Sequence, residues 1–408
     1  MKPLVIEYLK SHSFEQLELE HGICARPSSN FRKFSINYDM ILVKNGDPIS
    51  NECRGLVIKP TDKIFNVENW STQIVGDCDV LAWPLNRFYN YGDINCSPVN
   101  WSDDNLKVYE KLDGTMCILY WDKDCTKWCV ATRSVPEADL PIRKDHLEIG
   151  DMTFDGLFWK SIMDHRSRNG NTFFTLREWK TIHLSKNLTY VFELTSPYNR
   201  IVVKYDVCNV TLLAVRDTHT GVELNINNLP KHINLDVPKV WSLNNVSSLV
   251  ELVNSSDPAK LEGAVVCDSN FNRIKVKNKA WVLSSRAKDL LTVSRRSALE
   301  AILQGSIDDV LPLLEKDIAD KLIEIQKAAR EYFIKLDANF LEWKKLSNGS
   351  RKTFAEKVIA SGDWSAPHFN VLDGKAISIP AWVEAQAKAE KLSPSTLDLI
   401  LIKIGQAT

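Results

Sequence analysis

The chain lacks the features that mark several large protein classes. It has no CxxC pair and no Cys/His cluster at zinc-finger spacing, although nine cysteines are present. A thiol redox motif and a structural zinc site are therefore not expected. The cysteines read as reduced core or surface thiols, which points to a reducing cytoplasm. No stretch approaches the ~20 apolar residues that span a bilayer, and Met1–Glu7 lacks the apolar run of a signal peptide. An excess of one charge is lacking too: 51 Lys+Arg meet 52 Asp+Glu, for a net charge of −1. That argues against coating nucleic acid by bulk charge, and leaves room for a local basic groove. There is no GxxxxGK[ST], no GxGxxG after a strand, and no HExxH, GxSxG or kinase catalytic loop. P-loop, Rossmann, zincin and hydrolase sites are thus not expected.

What is present is an ordinary globular mix, 44% hydrophobic and 25% charged over 408 residues, with room for two or three domains. The texture changes near residue 284. Before it, short runs rich in β-branched and aromatic residues recur between turn signals: Cys53–Ile58, Met116–Trp121, Trp128–Thr132, Tyr190–Leu194, Ile201–Lys204, Val210–Val215, Ala264–Cys267 and Arg273–Lys277. They predict half-buried, antiparallel strands with a few packed helices. After it, the spacing is helical. Asp289–Leu303 reads as a helix stopped by Gly305, and Asp308-Asp309 can cap another. From Glu315 to Lys345, Ile318, Leu322, Ile325, Ala329, Tyr332, Phe333 and Leu336 follow the 3.6-residue period, and a further helix starts near Pro380. The expected fold class is α+β, with a sheet-rich body over residues 1–284 and an all-helical domain over 285–408.

Chemistry is densest at Lys111-Leu112-Asp113-Gly114, between the β-prone Val108-Tyr109 and the strand run that opens at Met116. A lysine at a strand boundary can project into a cleft. Its amine is a nucleophile only after losing a proton, which nearby cations or desolvation favour. Gly114 lets the backbone turn close to a ligand. Taken alone, the tetrapeptide is a weak signal and fits a surface lysine and a turn aspartate better than a site.

Other elements flank it in a particular order. Upstream lie Glu52-Cys53-Arg54-Gly55-Leu56-Val57 and Pro84-Leu85-Asn86-Arg87-Phe88-Tyr89-Asn90. Downstream come Ala131-Thr132-Arg133-Ser134, Val191-Phe192-Glu193-Leu194 with Pro197-Tyr198-Asn199-Arg200-Ile201-Val202, Leu261-Glu262-Gly263-Ala264-Val265-Val266, and Ile274-Lys275-Val276-Lys277. The ordered set resembles the motifs of the covalent nucleotidyltransferases, which include ATP-dependent ligases and mRNA-capping guanylyltransferases. In detail it is similar to the bacteriophage RNA ligase 1 family of tRNA-repair ligases, over about residues 50–285.

The resemblance implies that Lys111 attacks the α-phosphorus of ATP, expels pyrophosphate and carries AMP as a phosphoramide. The AMP passes to an RNA 5′-phosphate, and an RNA 3′-hydroxyl then seals the strand. Lys275 and Lys277 alternate with Val276, so on a strand both ammoniums face one side. There they bracket the α-phosphate and stabilise its developing charge. Arg54, Arg87 and Arg133 grip the outer phosphates or the RNA 5′-phosphate end, as forked donors suited to phosphate. By the same resemblance Glu193 contacts the ribose, Asp113 orients Lys111 or the ribose, and Glu262 supports a catalytic metal through water. Trp281 stacks or packs at the nucleotide, and Asp308 reaches the ATP-bound metal, Mg²⁺ or Mn²⁺. Arg87 stands where the family usually has Lys, and Trp281 where it usually has Tyr. The shape of the first contact and the phenol of the second are thereby lost.

DNA ligases and capping enzymes continue into a β-rich OB domain, whereas this chain continues into helices. The segment Leu299–Val310 resembles the start of the phage family's helical C-terminal domain, which recognises tRNA. The expected protein is a monomeric cytoplasmic ATP-dependent RNA ligase acting on RNA with 5′-phosphate and 3′-hydroxyl ends, nicked tRNA among them. A DNA ligase, a capping-type enzyme and a catalytically inactive RNA-binding relative are the alternatives.

Overall fold

The computed structural model describes residues 2–39, 43, 46–66, 71–93, 95–139, 141–142, 152–168, 175–226, 235–243, 245–282, 284–285, 295–303, 316–389 and 391–406. The chain divides into two units, Met1–Asn278 and Lys279–Thr408.

The first unit is built from three sheets. One holds β1 (Ile23–Pro27), β2 (Phe34–Tyr38), β3 (Arg54–Asn66) and β4 (Ser71–Ala82) in that order. The central sheet runs β11 (Glu223–Leu224), β10 (Asn209–Asp217), β9 (Leu188–Thr195), β7 (Thr115–Asp122), β8 (Lys127–Thr132). The third runs β12 (Val240–Trp241), β6 (Lys107–Lys111), β13 (Gly263–Cys267), β14 (Arg273–Lys277), β5 (Tyr89–Asn90). Every pairing is antiparallel except β14 with β5.

The central strand β7 explains the layering. Its Cys117 and Leu119 join Phe158, Ile162 and Trp179 of the helices Phe154–Arg168 and Leu176–His183. Its Met116, Ile118 and Tyr120 join Val57, Leu81 and Leu85 from the first sheet's side. Both faces are buried, so β7 reads as an unbroken apolar run rather than an alternating one. On the third sheet Val108, Ala264, Val266, Ile274 and Val276 pack on Leu249 and Val253 of the helix Val246–Ser255. The period of two then turns the intervening residues of β6, β13 and β14 to the opposite face, which looks into a cavity.

One expected strand does not form. Ile201–Lys204 follows a short 3-10 turn, Pro197–Asn199, and carries no strand pairing. Instead of joining a ladder, the Val202 and Val203 N–H groups donate to Asp113 Oδ2 at 2.8 and 2.7 Å. A side-chain acceptor has replaced the neighbouring strand.

In the second unit the described residues form helices and turns. The helix expected over Glu315–Lys345 spans Lys316–Leu346, with Leu322, Ile325, Ala329, Phe333, Leu336 and Phe340 buried along one stripe. Arg295–Leu303 is helical, whereas residues 286–294, Gly305 and the Asp308-Asp309 pair lie outside the described residues. The helix near Pro380 spans Ile379–Lys388, and its N-cap Ser378 accepts from the Ala381 N–H. No described helix is long and apolar enough to cross a membrane. None of the nine cysteines is in a disulfide.

A buried ionic cluster ties the first sheet to the central one. Lys33, just before β2, holds Asp122 at the end of β7 and Glu137 beyond β8, each at 2.8 Å. Burial alone would lower the Lys33 ammonium, but the two carboxylates more than reverse it and its pKa is raised. Burial would likewise raise Asp122, yet Lys33 and two backbone donors bring it down to about 2. Lys33→Met should lower stability by about 3–5 kcal/mol, because it strands buried carboxylates. Since Asp122 titrates far below an unfolded aspartate, its share is present at neutral pH and is lost as pH falls towards 2. The difference between wild type and variant in denaturant titrations should therefore narrow in acid. A constant difference from pH 7 to pH 2.5 would sink this account.

Candidate active site

Two glycines make the site's geometry possible. An added Cβ at Gly114 would stand 2.4 Å from the Leu194 carbonyl oxygen, and one at Gly263 would stand 2.1 Å from that of Val276. The first lets the Lys111–Gly114 turn lie against the end of β9, and the second lets β13 and β14 close up.

Register does the rest. Gly263 pairs with Lys111 on one side and with Lys277 on the other, so the two lysines flank a residue that has no side chain. Glu262, the residue before, reaches both. Its Oε2 lies 2.7 Å from Lys111 Nζ and its Oε1 lies 3.1 Å from Lys277 Nζ. The carboxylate is buried while the lysines keep 22% and 28% of their side-chain surface. Val265 pairs with Lys275, and Cys267 with Arg273, so three cations of β14 share the cavity face.

This concentration perturbs the buried groups. Lys275 is pushed down to about 7, first by burial and then by Lys277, Arg54 and Lys111. Lys277 is lowered by burial and by Lys111, with Glu262 opposing. Glu193, on β9 across the cavity, is pushed up to about 7 by burial first and by Glu262 and Asp113 after it, against the pull of Lys111 and Arg54. Its Oε1 accepts the Gly114 N–H at 3.1 Å, which ties the lysine turn to the central sheet.

Aromatic rings hold the arginines. Arg54 stacks on Phe88 at 4.9 Å, and Lys275 lies over the same ring at 5.6 Å. Arg87 sits between Tyr38 and Tyr89 at 4.6 and 4.7 Å, with Arg133 over Tyr38 at 5.8 Å. Cation–π contact helps keep these guanidiniums in place.

The structure thus brings together Lys111, Glu262, Lys277, Lys275, Arg54 and Glu193, and gathers Arg87 and Arg133 on one tyrosine. Asp113 is buried and its Oδ2 is engaged by the Val202 and Val203 N–H groups, so it braces the turn rather than facing a ligand with that oxygen. Trp281 is buried and belongs to the second unit. Asp308 lies outside the described residues.

Several contributors escaped the sequence reading. Arg273 forms a bidentate pair with Glu223, its Nη1 2.9 Å from Oε2 and its Nη2 on Oε1. The pair joins β14 to β11 and lines one end of the cavity. Its only local signal was the Arg273-Lys275-Lys277 spacing. Tyr109, Leu112, Leu213, Leu224, Pro238 and Val265 supply an apolar wall suited to a planar base.

Glu193 offers a test of these electrostatics. Because its folded pKa lies above that of an unfolded carboxylate, the folded protein holds a proton that the unfolded chain releases between about pH 4.5 and 7. Stability from this group is therefore present below that window and is lost as pH rises through it. Glu193→Gln keeps the acceptor for Gly114 and removes the charge. Its melting temperature in the free protein should exceed wild type by roughly 2–4 °C at pH 8 and match it near pH 4.5. Equal shifts at both pH values would refute the assignment.

Comparison with known proteins places the chain. A family model described as RNA ligase, of the T4 RNA ligase 1 type, matches residues 52–286. The RNA ligase of Rhodothermus phage RM378 is 25% identical over 384 residues, covering 78% of this chain and 80% of that protein. Among solved structures, an archaeal ATP-dependent RNA ligase is 14% identical over 80% of this chain and 79% of its own, with a TM-score of 0.42. A Naegleria gruberi RNA ligase solved with ATP and Mn is 16% identical, with a TM-score of 0.31. That match covers 44% of this chain and about half, 51%, of the Naegleria chain. These structural likenesses are remote, and the assignment rests on the sequence match. The chain belongs to the bacteriophage RNA ligase 1 family.

Proposed function

We propose that this RNA ligase uses ATP and seals RNA 5′-phosphate to 3′-hydroxyl ends through an AMP adduct on Lys111. The observation that carries the reading is the pair of contacts Glu262 makes with Lys111 and Lys277, beside Lys275 and at the edge of a cavity lined by Lys111, Arg54 and Glu193.

Lys111 Nζ forms a bond to the α-phosphorus while the bond to pyrophosphate breaks, and pyrophosphate leaves with the electron pair. Glu262 Oε2, 2.7 Å from Nζ, is placed to take the proton. Lys275, Lys277 and Arg54 stabilise the charge that grows on the phosphate oxygens. An oxygen of the RNA 5′-phosphate then attacks the same phosphorus, the P–N bond breaks, and Lys111 recovers its proton. Finally an RNA 3′-hydroxyl attacks the 5′-phosphorus, its proton is lost, and AMP leaves as the phosphodiester forms. Glu193 receives the ribose, and Arg87 and Arg133 receive the outer phosphates. Asp113 acts by position, fixing the turn that carries Lys111.

Magnesium or manganese fits as a group that arrives with the nucleotide. Among the described residues no three His, Cys, Asp or Glu side chains cluster as a protein cage would require, and Glu262 already holds two ammoniums. Magnesium is commonly bound by one carboxylate, water and substrate phosphates. Glu262 through water, with Asp308, would supply the protein side, and the ion would supply charge neutralisation. Trp281 is read as packing near the nucleotide. We read residues 1–284 as the adenylyltransferase domain and 285–408 as a helical domain that recognises RNA, nicked tRNA among the substrates. The setting is a reducing cytoplasm and the unit a monomer.

Wild-type protein incubated with magnesium and α-labelled ATP should acquire an acid-resistant label, and Lys111→Ala should acquire none. Lys277→Ala should keep a folded core and lose roughly 10²-fold or more in adenylation rate. Labelling by GTP in preference to ATP would turn the assignment towards capping chemistry. RNA binding without any adduct would overturn the enzyme reading.

A further inference from the structure

A second cleft opens beside the nucleotide cavity. The two share Phe88, Glu223, Phe271 and Arg273 in their walls, so they adjoin. The second is roughly 410 Å³, within the ~300–1,000 Å³ range of small-ligand sites. Its chemistry differs from the first. Five amides line it, from Asn51, Asn86, Asn95, Asn270 and Asn272, together with Arg87 and Arg216. Glu223 is the one carboxylate among the described lining residues, and Arg273 holds it.

The amides are oriented. Asn51 Oδ1 accepts the Tyr89 hydroxyl at 2.9 Å, and Asn86 Oδ1 accepts Arg216 Nη1 at 2.8 Å. With these oxygens occupied, both side chains offer N–H donors to the cleft. Such a wall suits an anionic, acceptor-rich ligand.

Phe271 stands at the junction, and its backbone is strained. Its φ is +61°, in a region that bulky residues rarely enter. Asp268 enforces it. The Phe271 N–H donates to Asp268 O at 3.0 Å, and the Asn270 and Asn272 N–H groups donate to Asp268 Oδ1 at 3.0 and 2.9 Å. Strain held at a cavity mouth places a partly exposed ring where both ligands would pass.

Stereochemistry says which ligand the cleft receives. In the first step pyrophosphate leaves in line with the Lys111–phosphorus bond. In the second, Lys111 is the leaving group, so the RNA 5′-phosphate must attack from the side that pyrophosphate vacated. Arg87, an outer-phosphate residue in the proposed function, also lines this cleft. We infer that the cleft formed by Asn51, Asn86, Asn95, Asn270 and Phe271 binds the 5′-terminal nucleotide of the donor RNA strand, with its base on Phe271 and its sugar-phosphate on the amides. This rests on the RNA ligase reading and deepens it.

The test uses the full-length protein, a short 5′-phosphorylated single-stranded oligoribonucleotide and its pre-adenylated form. The double variant Asn95→Ala, Asn270→Ala should form the lysyl-AMP adduct within about twofold of wild type. Its KM for the pre-adenylated donor should rise at least about tenfold, and its KM for the 3′-hydroxyl acceptor should stay put. Phe271→Gly separates strain from stacking. It should melt no lower than wild type, since glycine accepts the backbone angle, yet show the same loss for the donor. Phe271→Tyr should restore donor KM. An unchanged donor KM in both variants, or a rise confined to the acceptor, overturns the assignment. Failure of wild type to take label from ATP would instead remove the first-step mechanism. The pre-adenylated donor would still report on the cleft.

Discussion

One buried carboxylate organises the site. Glu262 pairs with Lys111 and Lys277 across three strands of one sheet. A carboxylate alone in that position would carry a large desolvation cost, and so would two ammoniums crowded beside Lys275. Together they offset one another in the free protein. The arrangement leaves the cations in place and ready for a second anion. A nucleotide phosphate would thus meet a site whose ammoniums are already fixed, with little reorganisation left to do.

The remaining architecture serves that contact. Gly263 opens the row between the lysines, Gly114 seats the lysine turn on β9, and Asp113 anchors the turn to the segment after the 3-10 helix. Rings hold the arginines by their faces. The Arg273–Glu223 pair braces one end of the cavity between two sheets. At the other end of β7, the Lys33 cluster joins the first sheet to the central one.

Charge neutrality reads differently in this light. The net charge of −1 excludes binding nucleic acid as a coat. It says nothing of how charge is placed. Lys111, Lys275, Lys277 and Arg54 lie close enough to act on one another, and acidic side chains elsewhere balance them in the total. Glu193 and Lys275, each displaced to about 7, show how strongly the cations and carboxylates interact once burial removes water.

What the amino-acid sequence determined by itself was local and periodic. The apolar runs of β7, β9 and β10, the alternation of Lys275 and Lys277, and the heptad-like stripe of the long helix all follow from side-chain period. The ordered motifs identified the family. Tertiary structure alone decided which distant groups meet. Ile201–Lys204 has the composition of a strand, yet its backbone donors found Asp113, some 90 residues away in the chain. Arg273 pairs with Glu223, on a different strand 50 residues away in the chain. Composition and period report what a residue prefers on its own. Register, close glycine approach and burial choose its partners, and those partners make a lysine, a carboxylate and a ring into a site.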